Sequence, residues 1–290
     1  MQISKESKAI VIGASYGIGL SVAEQLVKMG VHTGIIARNR TELEKAEQGL
    51  KKLAPQGQVV QAANADATHP EALKTAIDTI VEAMGGVDLV IHCVGRAVPQ
   101  YFDKITNAQF DQTLKTNLSS AWYAVKAVQP HMKGKGGTIV IVSSICGFLG
   151  VYGYTDYCAS KFGLVGLAES LQYELAEQNI KVQLVFPPDT DTPGYAEENK
   201  TKPKETLAVS ANAKLLHPEQ VAAEILAGIR KGKDIIIPGA DGKLTYLVKR
   251  WFPGLVKWIM RKDIFKAQRK RCIHLLSETL LNWGCCLRLV

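Results

Sequence analysis

The sequence predicts an α/β fold, a doubly wound parallel sheet with helices on both faces, followed by a basic aromatic C-terminal tail. Two observations carry this prediction: short apolar runs rich in Val and Ile recur along the chain, and longer helical patterns separate them. Nearly continuous apolar runs are typical of parallel strands covered on both faces. Their alternation with helices implies right-handed crossovers and places a ligand site at the carboxyl ends of the strands.

Six strands and six helices are predicted. The strands are 9–13, 32–37, 59–65, 87–94, 137–144 and 181–186, and the helices are 18–29, 40–53, 70–84, 107–131, 156–178 and 218–230. From 189 to 216 the pattern gives way to Pro, Thr, Glu and Lys, which predicts a mobile loop over the ligand site. We therefore assign residues 1–240 to one domain, with a substrate loop at 187–216, and residues 241–290 to the tail.

The composition excludes several classes of protein. With 47% hydrophobic and 21% charged residues among 290, the chain can form a large core, which argues against disordered and fibrous proteins. The six cysteines form no CxxC pair and have no histidine cluster beside them, so reduced thiols are predicted instead of disulfides or a metal site. No signal peptide and no apolar stretch of about 18 residues is visible, so no membrane span is predicted.

A glycine-rich turn follows the first strand directly and opens the first helix, in the order Gly13-Ala-Ser-Tyr-Gly17-Ile-Gly19. Glycines let a backbone turn tightly and approach a pyrophosphate, whose charge the helix N-terminus stabilises. A plain strand–helix turn is the alternative, but the position at the first strand favours a dinucleotide site. The predicted contacts are Gly13, Ser15, Tyr16, Gly17, Ile18 and Gly19.

The end of the second strand favours NADP(H) as the cofactor. It reads Ala37-Arg38-Asn39-Arg40, and no acid follows before Glu42. An acid at this place usually binds the ribose 2′-OH of NAD, whereas an Arg accommodates the 2′-phosphate of NADP. We therefore assign Arg38 and Arg40 to the phosphate, with two solvated arginines as the alternative. Asp66, after the third strand, is assigned to the adenine, with a helix cap as the alternative, and Ala67 next to it is assigned to the cofactor site.

Four residues form a candidate catalytic set. Tyr157 and Lys161 are spaced i and i+4, one turn apart on a predicted helix. A phenol has a pKa near 10, and a neighbouring cation lowers it toward the working range. Ser144 ends the fifth strand, where its hydroxyl could orient a carbonyl, and Asn117 is a candidate for holding a water in a proton path to Lys161.

With these motifs the chain resembles the short-chain dehydrogenase/reductase family, of Rossmann type, over roughly residues 6–240. The resemblance implies that Tyr157 donates a proton to the substrate oxygen, Lys161 lowers its pKa and holds the nicotinamide ribose, Ser144 positions the carbonyl and Asn117 anchors the relay. It also places Gly95 at the cofactor. Three departures from the family pattern are His92-Cys93-Val94 before Gly95, Ile12 before the first glycine, and Pro187-Pro188 after the sixth strand.

The run from Pro187 to Pro203 resembles the branch of this family that reduces 3-ketodihydrosphingosine. That resemblance implies an NADPH-dependent reductase of a long-chain keto-lipid, with Pro187 at the cofactor and with Thr190 and Thr192 contacting the nicotinamide carboxamide and the diphosphate. The family also implies a homodimer or homotetramer that pairs through helices 107–131 and 156–178. The alternatives are a reductase of another lipid-like ketone, such as a steroid, retinoid or 3-ketoacyl group, and a catalytically idle NADP(H)-binding sensor.

The net charge of +8 is concentrated in the tail. Between Lys243 and Arg271 ten Lys/Arg and one acid give +9, which leaves about −1 for the rest of the chain. The same segment carries Trp251, Phe252 and Trp258, so residues 244–271 are predicted to bind the surface of a membrane on its cytosolic face. The alternative is a tail helix that packs on its own domain or on a dimer partner. No nucleic-acid-binding module is recognised, and Cys285 and Cys286 are candidates for acylation or simply free thiols.

Overall fold

A computed structural model describes residues 1–211 and 214–286, with side chains described as far as Arg269. In this part of the chain one parallel sheet of seven strands has the order β3-β2-β1-β4-β5-β6-β7. The strands are β1 (Lys8–Ile12), β2 (His32–Ala37), β3 (Val60–Asn64), β4 (Leu89–His92), β5 (Gly137–Val142), β6 (Ile180–Val185) and β7 (Ile235–Ile236). The predicted fold class is therefore confirmed, and β7 is a short strand that the apolar pattern did not single out.

The helices of this fold alternate with the strands. They are α1 (Gly17–Lys28), α2 (Arg40–Leu53), α3 (Pro70–Met84), α4 (Asn107–Leu114), α5 (Ser120–Met132), α6 (Thr155–Glu174), α7 (Pro193–Asn199), α8 (Lys204–Ser210), α9 (Pro218–Arg230), α10 (Ala240–Trp251) and α11 (Pro253–Cys286). The six predicted helices are all present at these positions, although the fourth is divided.

The sheet separates two apolar layers, and alternate residues of β1 serve one or the other. Ile10 and Ile12 pack with α3, α5 and α6, whereas Ala9 and Val11 pack with α1, α2 and α9. All four side chains are fully buried, and full burial of a large aliphatic side chain contributes about 1.5–3 kcal/mol. Burial on both faces explains why the strand sequences are continuously apolar.

The strand order reverses between β1 and β4, the central neighbours from which the chain winds toward both edges. A crevice opens at the carboxyl ends of strands at such a reversal, and ligands bind there. The turn that begins with Gly13 leaves β1 at this edge, and the segment that contains Gly95 leaves β4 beside it. The fold thus brings two of the predicted cofactor segments together.

The predicted helix 107–131 is interrupted by a π-helical turn at Lys115–Ser119, which separates α4 from α5. Asn117 lies in that turn and is fully buried. The periodicity of the sequence continues through the turn, so it gave no sign of the interruption. Single π turns inside helices are frequent at functional sites.

The segment 187–216 contains two short helices, α7 and α8, where a mobile loop was predicted. Thr192 caps α7 by accepting a hydrogen bond from the Tyr195 backbone N–H at 3.1 Å, and Pro193 occupies the first turn. Both are favoured residues at a helix start. A loop was predicted because the segment is rich in Pro, Thr, Lys and Glu. The prediction missed the two helices because each is only seven residues long.

The tail forms α10 and α11. The Tyr246 ring on α10 lies 5.1 Å from the Phe148 ring and 6.1 Å from the Phe186 ring, and α11 packs against α8. Within the described residues, no helix is both long enough and apolar enough to cross a membrane. Cys285 and Cys286 lie outside the residues whose side chains are described.

Candidate active site

The glycine turn after β1 has the geometry of a phosphate cradle. Gly13 and Gly17 have φ angles of +87° and +62°, which residues with a side chain rarely adopt. A Cβ at Gly19 would lie 2.1 Å from the Gly13 carbonyl oxygen, so only glycine lets α1 approach the turn. No side chain caps α1, and the N–H groups of its first turn remain for an anion. These residues fit the pyrophosphate of a dinucleotide.

The remaining predicted residues of this turn line its outer side. Tyr16 is about half exposed, at 52%, and Ser15 and Ile18 are half-buried. Across the turn, the Thr192 Cγ2 lies 3.0 Å from the point that a Cβ on Gly17 would occupy. The structure therefore brings Thr192 of the substrate loop to the phosphate turn.

Arg38 and Asp66 also come together, at the ends of β2 and β3. The Arg38 Nη1 lies 3.8 Å from the Asp66 Oδ2, and the arginine side chain is 73% exposed. Burial raises the pKa of Asp66, but hydrogen bonds from Thr68 and the charge of Arg38 outweigh it and leave that pKa below its ordinary value. Arg40 pairs with Glu44 on the surface of α2 at 2.9 Å, and Ala67, next to Asp66 in the chain, is buried.

Asn117, in the π turn, connects the loop after β4 with α6. Its Oδ1 accepts from the Arg96 backbone N–H at 2.8 Å, and its Nδ2 donates to the Arg96 carbonyl at 3.0 Å and to Ser160 Oγ at 2.9 Å. Ser160 Oγ in turn donates to the Tyr157 carbonyl at 2.7 Å. The π turn that carries Asn117 is thereby held against the α6 turn that carries Tyr157.

Lys161 is buried beneath the site, with its Nζ donating to the Val142 carbonyl at 3.1 Å. Burial lowers the pKa of Lys161 to about 8. A Cβ on Gly95 would lie 3.1 Å from this Nζ and 3.9 Å from Asn117 Oδ1, so Gly95 leaves room for both groups. The structure thus places Gly95, Asn117 and Lys161 next to one another.

Tyr157 lies above Lys161 on α6, with the ammonium 5.6 Å from the centre of its ring. Burial raises the pKa of the Tyr157 phenol well above its ordinary value, the charges of Cys146 and Glu198 add to this, and a hydrogen bond with Ser144 opposes it. The net shift is upward because desolvation outweighs the hydrogen bond with Ser144, and the lowering by Lys161 stays a prediction. Ser144 Oγ also accepts from the Cys146 backbone N–H at 3.2 Å.

The departures from the family pattern have local structural roles. His92 is buried, its Nε2 lies 3.0 Å from Ser120 Oγ on α5, and burial lowers its pKa to about 3, so the ring is neutral. Pro187 accepts a hydrogen bond from the Ile145 N–H at 3.1 Å, beside Ser144. Thr190 is buried and donates to the Pro188 carbonyl at 2.8 Å.

Several side chains at the site were not among the predicted residues. Asp156 is fully buried and accepts from Thr113 Oγ1 at 2.8 Å and Gln109 Nε2 at 3.1 Å, which ties α4 to α6. Tyr154 Oη donates a hydrogen bond to Glu198 of α7. These contacts join segments far apart in the chain, and no local motif signals them.

Comparisons with known proteins show the family to which this chain belongs. The sequence model of the short chain dehydrogenase family matches residues 7–203. The 3-ketodihydrosphingosine reductase of Dictyostelium discoideum is 38% identical over 96% of this chain and 90% of its own length. The mouse (Mus musculus) protein of that name is 37% identical over 80% and 71%, and the 3-dehydrosphinganine reductase of Arabidopsis thaliana is 35% identical over 94% and 84%.

Solved structures agree on the fold. A dehydrogenase/reductase from Sinorhizobium meliloti superposes with a TM-score of 0.69 at 26% identity, covering 80% of this chain and 93% of that one. A variant of actinorhodin polyketide ketoreductase with NADPH superposes with a TM-score of 0.71 at 24% identity, covering 81% and 97%. The chain belongs to the short-chain dehydrogenase/reductase family, as an oxidoreductase that resembles the 3-ketodihydrosphingosine reductase branch.

Proposed function

We propose that this protein uses NADPH to reduce the C3 ketone of 3-ketodihydrosphingosine to dihydrosphingosine, a step of sphingolipid biosynthesis. The observation that carries the proposal is the extent of the similarity to reductases of this name, which reaches 96% of the chain in the Dictyostelium protein and so includes the substrate loop and the tail. The arrangement of Asn117, Ser144, Tyr157 and Lys161 supports it, because this set suits protonation of a carbonyl oxygen.

Tyr157 is the proton donor in this proposal. When bound, the reduced nicotinamide supplies a hydride to the carbonyl carbon. The Ser144 hydroxyl, which interacts with the Tyr157 phenol, orients the carbonyl oxygen toward it. The raised pKa of Tyr157 keeps the phenol protonated at neutral pH, as a donor requires. Proton donation by such a group contributes about 10²- to 10⁴-fold to the rate.

Lys161 and Asn117 support Tyr157 from below. An ammonium 5.6 Å from the ring stabilises the phenolate that proton donation leaves. A lysine pKa of about 8 lets the same group pass a proton back at physiological pH. Asn117, held by Arg96 and Ser160, keeps the neighbouring backbone in place for the proton path.

Arg38 is the group we assign to the 2′-phosphate that distinguishes NADPH from NADH. It follows β2, its side chain is largely exposed at the site, and no acid precedes Glu42 to bind a ribose 2′-OH. Asp66 holds the guanidinium at 3.8 Å on the other side. Arg40 is a weaker candidate, because Glu44 already pairs with it.

We infer that the tail binds the cytosolic surface of a membrane through residues 244–271. Large apolar side chains on α10, on α11 and between them are exposed, among them Trp251 at 69%, Phe252 at 62%, Trp258 at 60% and Phe265 at 61%. Basic residues alternate with them, and each contributes about 1 kcal/mol at an anionic surface. α11 packs on α8 of the substrate loop, so the tail and the substrate loop are in direct contact.

We further infer a homodimer or homotetramer that pairs through α4, α5 and α6. These helices carry exposed aromatic side chains, namely Phe110, Trp122, Phe162 and Tyr173. Exposed apolar patches of this kind mark interaction surfaces. Light scattering of the purified protein tests the assembly, and sedimentation with anionic and neutral vesicles tests the tail.

The deciding experiment measures NADPH oxidation by the full chain with 3-ketodihydrosphingosine in mixed micelles, beside NADH and a panel of steroid, retinoid and 3-ketoacyl ketones. Fast, NADPH-selective turnover of the sphingoid ketone is the expected result. Faster turnover of another ketone would keep the mechanism and overturn the substrate. Tight NADPH binding without turnover of any ketone would indicate a sensor.

A further inference from the structure

We propose that Glu198 binds the ammonium group of the substrate and makes the site selective for ketones with an amine on the adjacent carbon. The inference rests on the proposed function, because 3-ketodihydrosphingosine carries its amino group at C2, next to the C3 carbonyl. It assigns a substrate-binding role to a side chain of α7 outside the Ser, Tyr, Lys and Asn set.

Glu198 lies one side chain away from the proton donor. Tyr154 Oη donates a hydrogen bond to Glu198 Oε1, and the Tyr154 and Tyr157 ring centres are 5.7 Å apart. The carbonyl oxygen of the substrate must meet the Tyr157 phenol. Since the amine is on the neighbouring carbon, its binding partner must lie beside Tyr157, where Glu198 is.

One carboxylate oxygen of Glu198 is open to a ligand. Both of its described partners use Oε1: the Tyr154 hydroxyl and the Lys202 ammonium, the latter at 3.1 Å. Oε2 accepts no hydrogen bond from the residues whose side chains are described, and 17% of the Glu198 side chain is exposed. An ammonium can therefore bind Oε2 while the existing contacts stay in place.

The charges around Glu198 leave one negative charge to be balanced. Tyr195 connects a second carboxylate, that of Asp189, to Lys202. The Tyr195 hydroxyl donates to Asp189 Oδ2 at 3.3 Å, and Lys202 Nζ lies 4.1 Å above the Tyr195 ring. Lys202, with its side chain 1% exposed, is the cation held between Glu198 and Tyr195. Two carboxylates and one lysine sum to −1, and a substrate ammonium neutralises the cluster. The other lysine of the site, Lys161, donates to Val142 on the sheet instead.

The test compares two substrates that differ only in the amine. Wild-type protein, Glu198→Gln and Glu198→Asp are assayed with NADPH on 3-ketodihydrosphingosine and on 1-hydroxyoctadecan-3-one, which lacks the amine, in the same micelles. Because Glu198→Gln removes a hydrogen bond between charged groups, kcat/KM for the amine substrate is expected to fall about 10- to 100-fold in this variant. The kcat/KM for the amine-free ketone is expected to change much less, so that the ratio of the two values falls, and Glu198→Asp is expected to retain most of the preference for the amine.

The matched control is Glu197→Gln, which removes a neighbouring α7 carboxylate that is 71% exposed and paired with Lys200. It is expected to leave the ratio of the two kcat/KM values unchanged. Because the readout is a ratio measured on one preparation, loss of folded protein cancels. Equal losses on both ketones, or an unchanged ratio in Glu198→Gln, would overturn the ammonium site and leave the reductase function intact. A wild-type protein without turnover of the sphingoid ketone would overturn both.

Discussion

The phosphate turn and the substrate side of the same site are built in opposite ways. Between Gly13 and Gly19 the shape comes from backbone: positive φ angles and a helix packed so closely that a Cβ has no room. On the substrate side, Tyr154, Glu198 and Lys202 form a partly buried polar cluster whose members come from the residue before α6, from α7 and from the segment after α7. A backbone cradle suits a cofactor that all members of a family share, whereas exchangeable side chains suit a substrate that varies.

Because the two sides are built separately, we expect that a substitution on the substrate side can abolish turnover without loss of cofactor binding. Tyr157→Phe deletes the proton donor while leaving the glycine turn and Arg38 untouched, so turnover is expected to fall by about 10²- to 10⁴-fold. NADPH affinity, measured by titration of cofactor fluorescence, is expected to stay nearly constant. Tyr173→Phe, on the same helix at 81% exposure, is the control. Equal loss of binding and turnover would exclude the proposed role of Tyr157.

On the cofactor side, we expect a substitution that displaces the backbone to weaken cofactor binding. Gly19→Ala places a Cβ 2.1 Å from the Gly13 carbonyl oxygen, and relief of such crowding costs about 1–3 kcal/mol and shifts the turn. We expect a lower melting temperature and weak NADPH binding. Gly49→Ala is the matched control, because no atom lies within 4 Å of a Cβ there, and a helical alanine is more stable by about 0.5–1 kcal/mol. Similar melting temperatures for the two variants would contradict the cradle.

Lys161 lies between the two regions, and its burial predicts a pH dependence of stability. Its pKa is about 8 in the folded protein against an ordinary 10.5. Between these values the unfolded chain binds a proton that the folded protein has released, so the free energy of unfolding rises with pH, by at most about 1.4 kcal/mol per unit. Urea unfolding of wild type and Lys161→Met across this range measures the gain, which the variant should lack. Parallel pH profiles would show that Lys161 is not desolvated.

The smallest effect is expected from replacement of Arg38, a single exposed side chain. Arg38→Ala removes the group assigned to the 2′-phosphate, and a lost charge-assisted contact of about 1.4 kcal/mol raises the KM for NADPH about tenfold. The KM for NADH should change little. Arg40→Ala is the control, since Arg40 pairs with Glu44. If both variants bind NADPH equally well, neither arginine selects the cofactor.

The sequence alone was enough for the fold class and for the residues whose roles are local. Strands buried on both faces are continuously apolar, so their positions could be predicted from the sequence. Gly13, Tyr157 and Lys161 belong to short motifs with characteristic spacing. Its residue types also favoured NADP(H) through Arg38. Two local expectations were wrong: α7 and α8 occupy the predicted loop, and a π turn divides the predicted helix 107–131.

Only the tertiary structure decided the features that depend on distant contacts. The pKa of Tyr157 rises because residues from several segments exclude water from the phenol, and sequence spacing reports the nearby lysine but not that burial. Glu198 and Tyr154 are 44 positions apart and meet only when α7 folds over the site. A hydrophobic period or a glycine spacing in the sequence predicts only the local structure of one segment. The pairing of charges across segments is set by how the chain packs, because desolvation and hydrogen-bond geometry exist only in three dimensions.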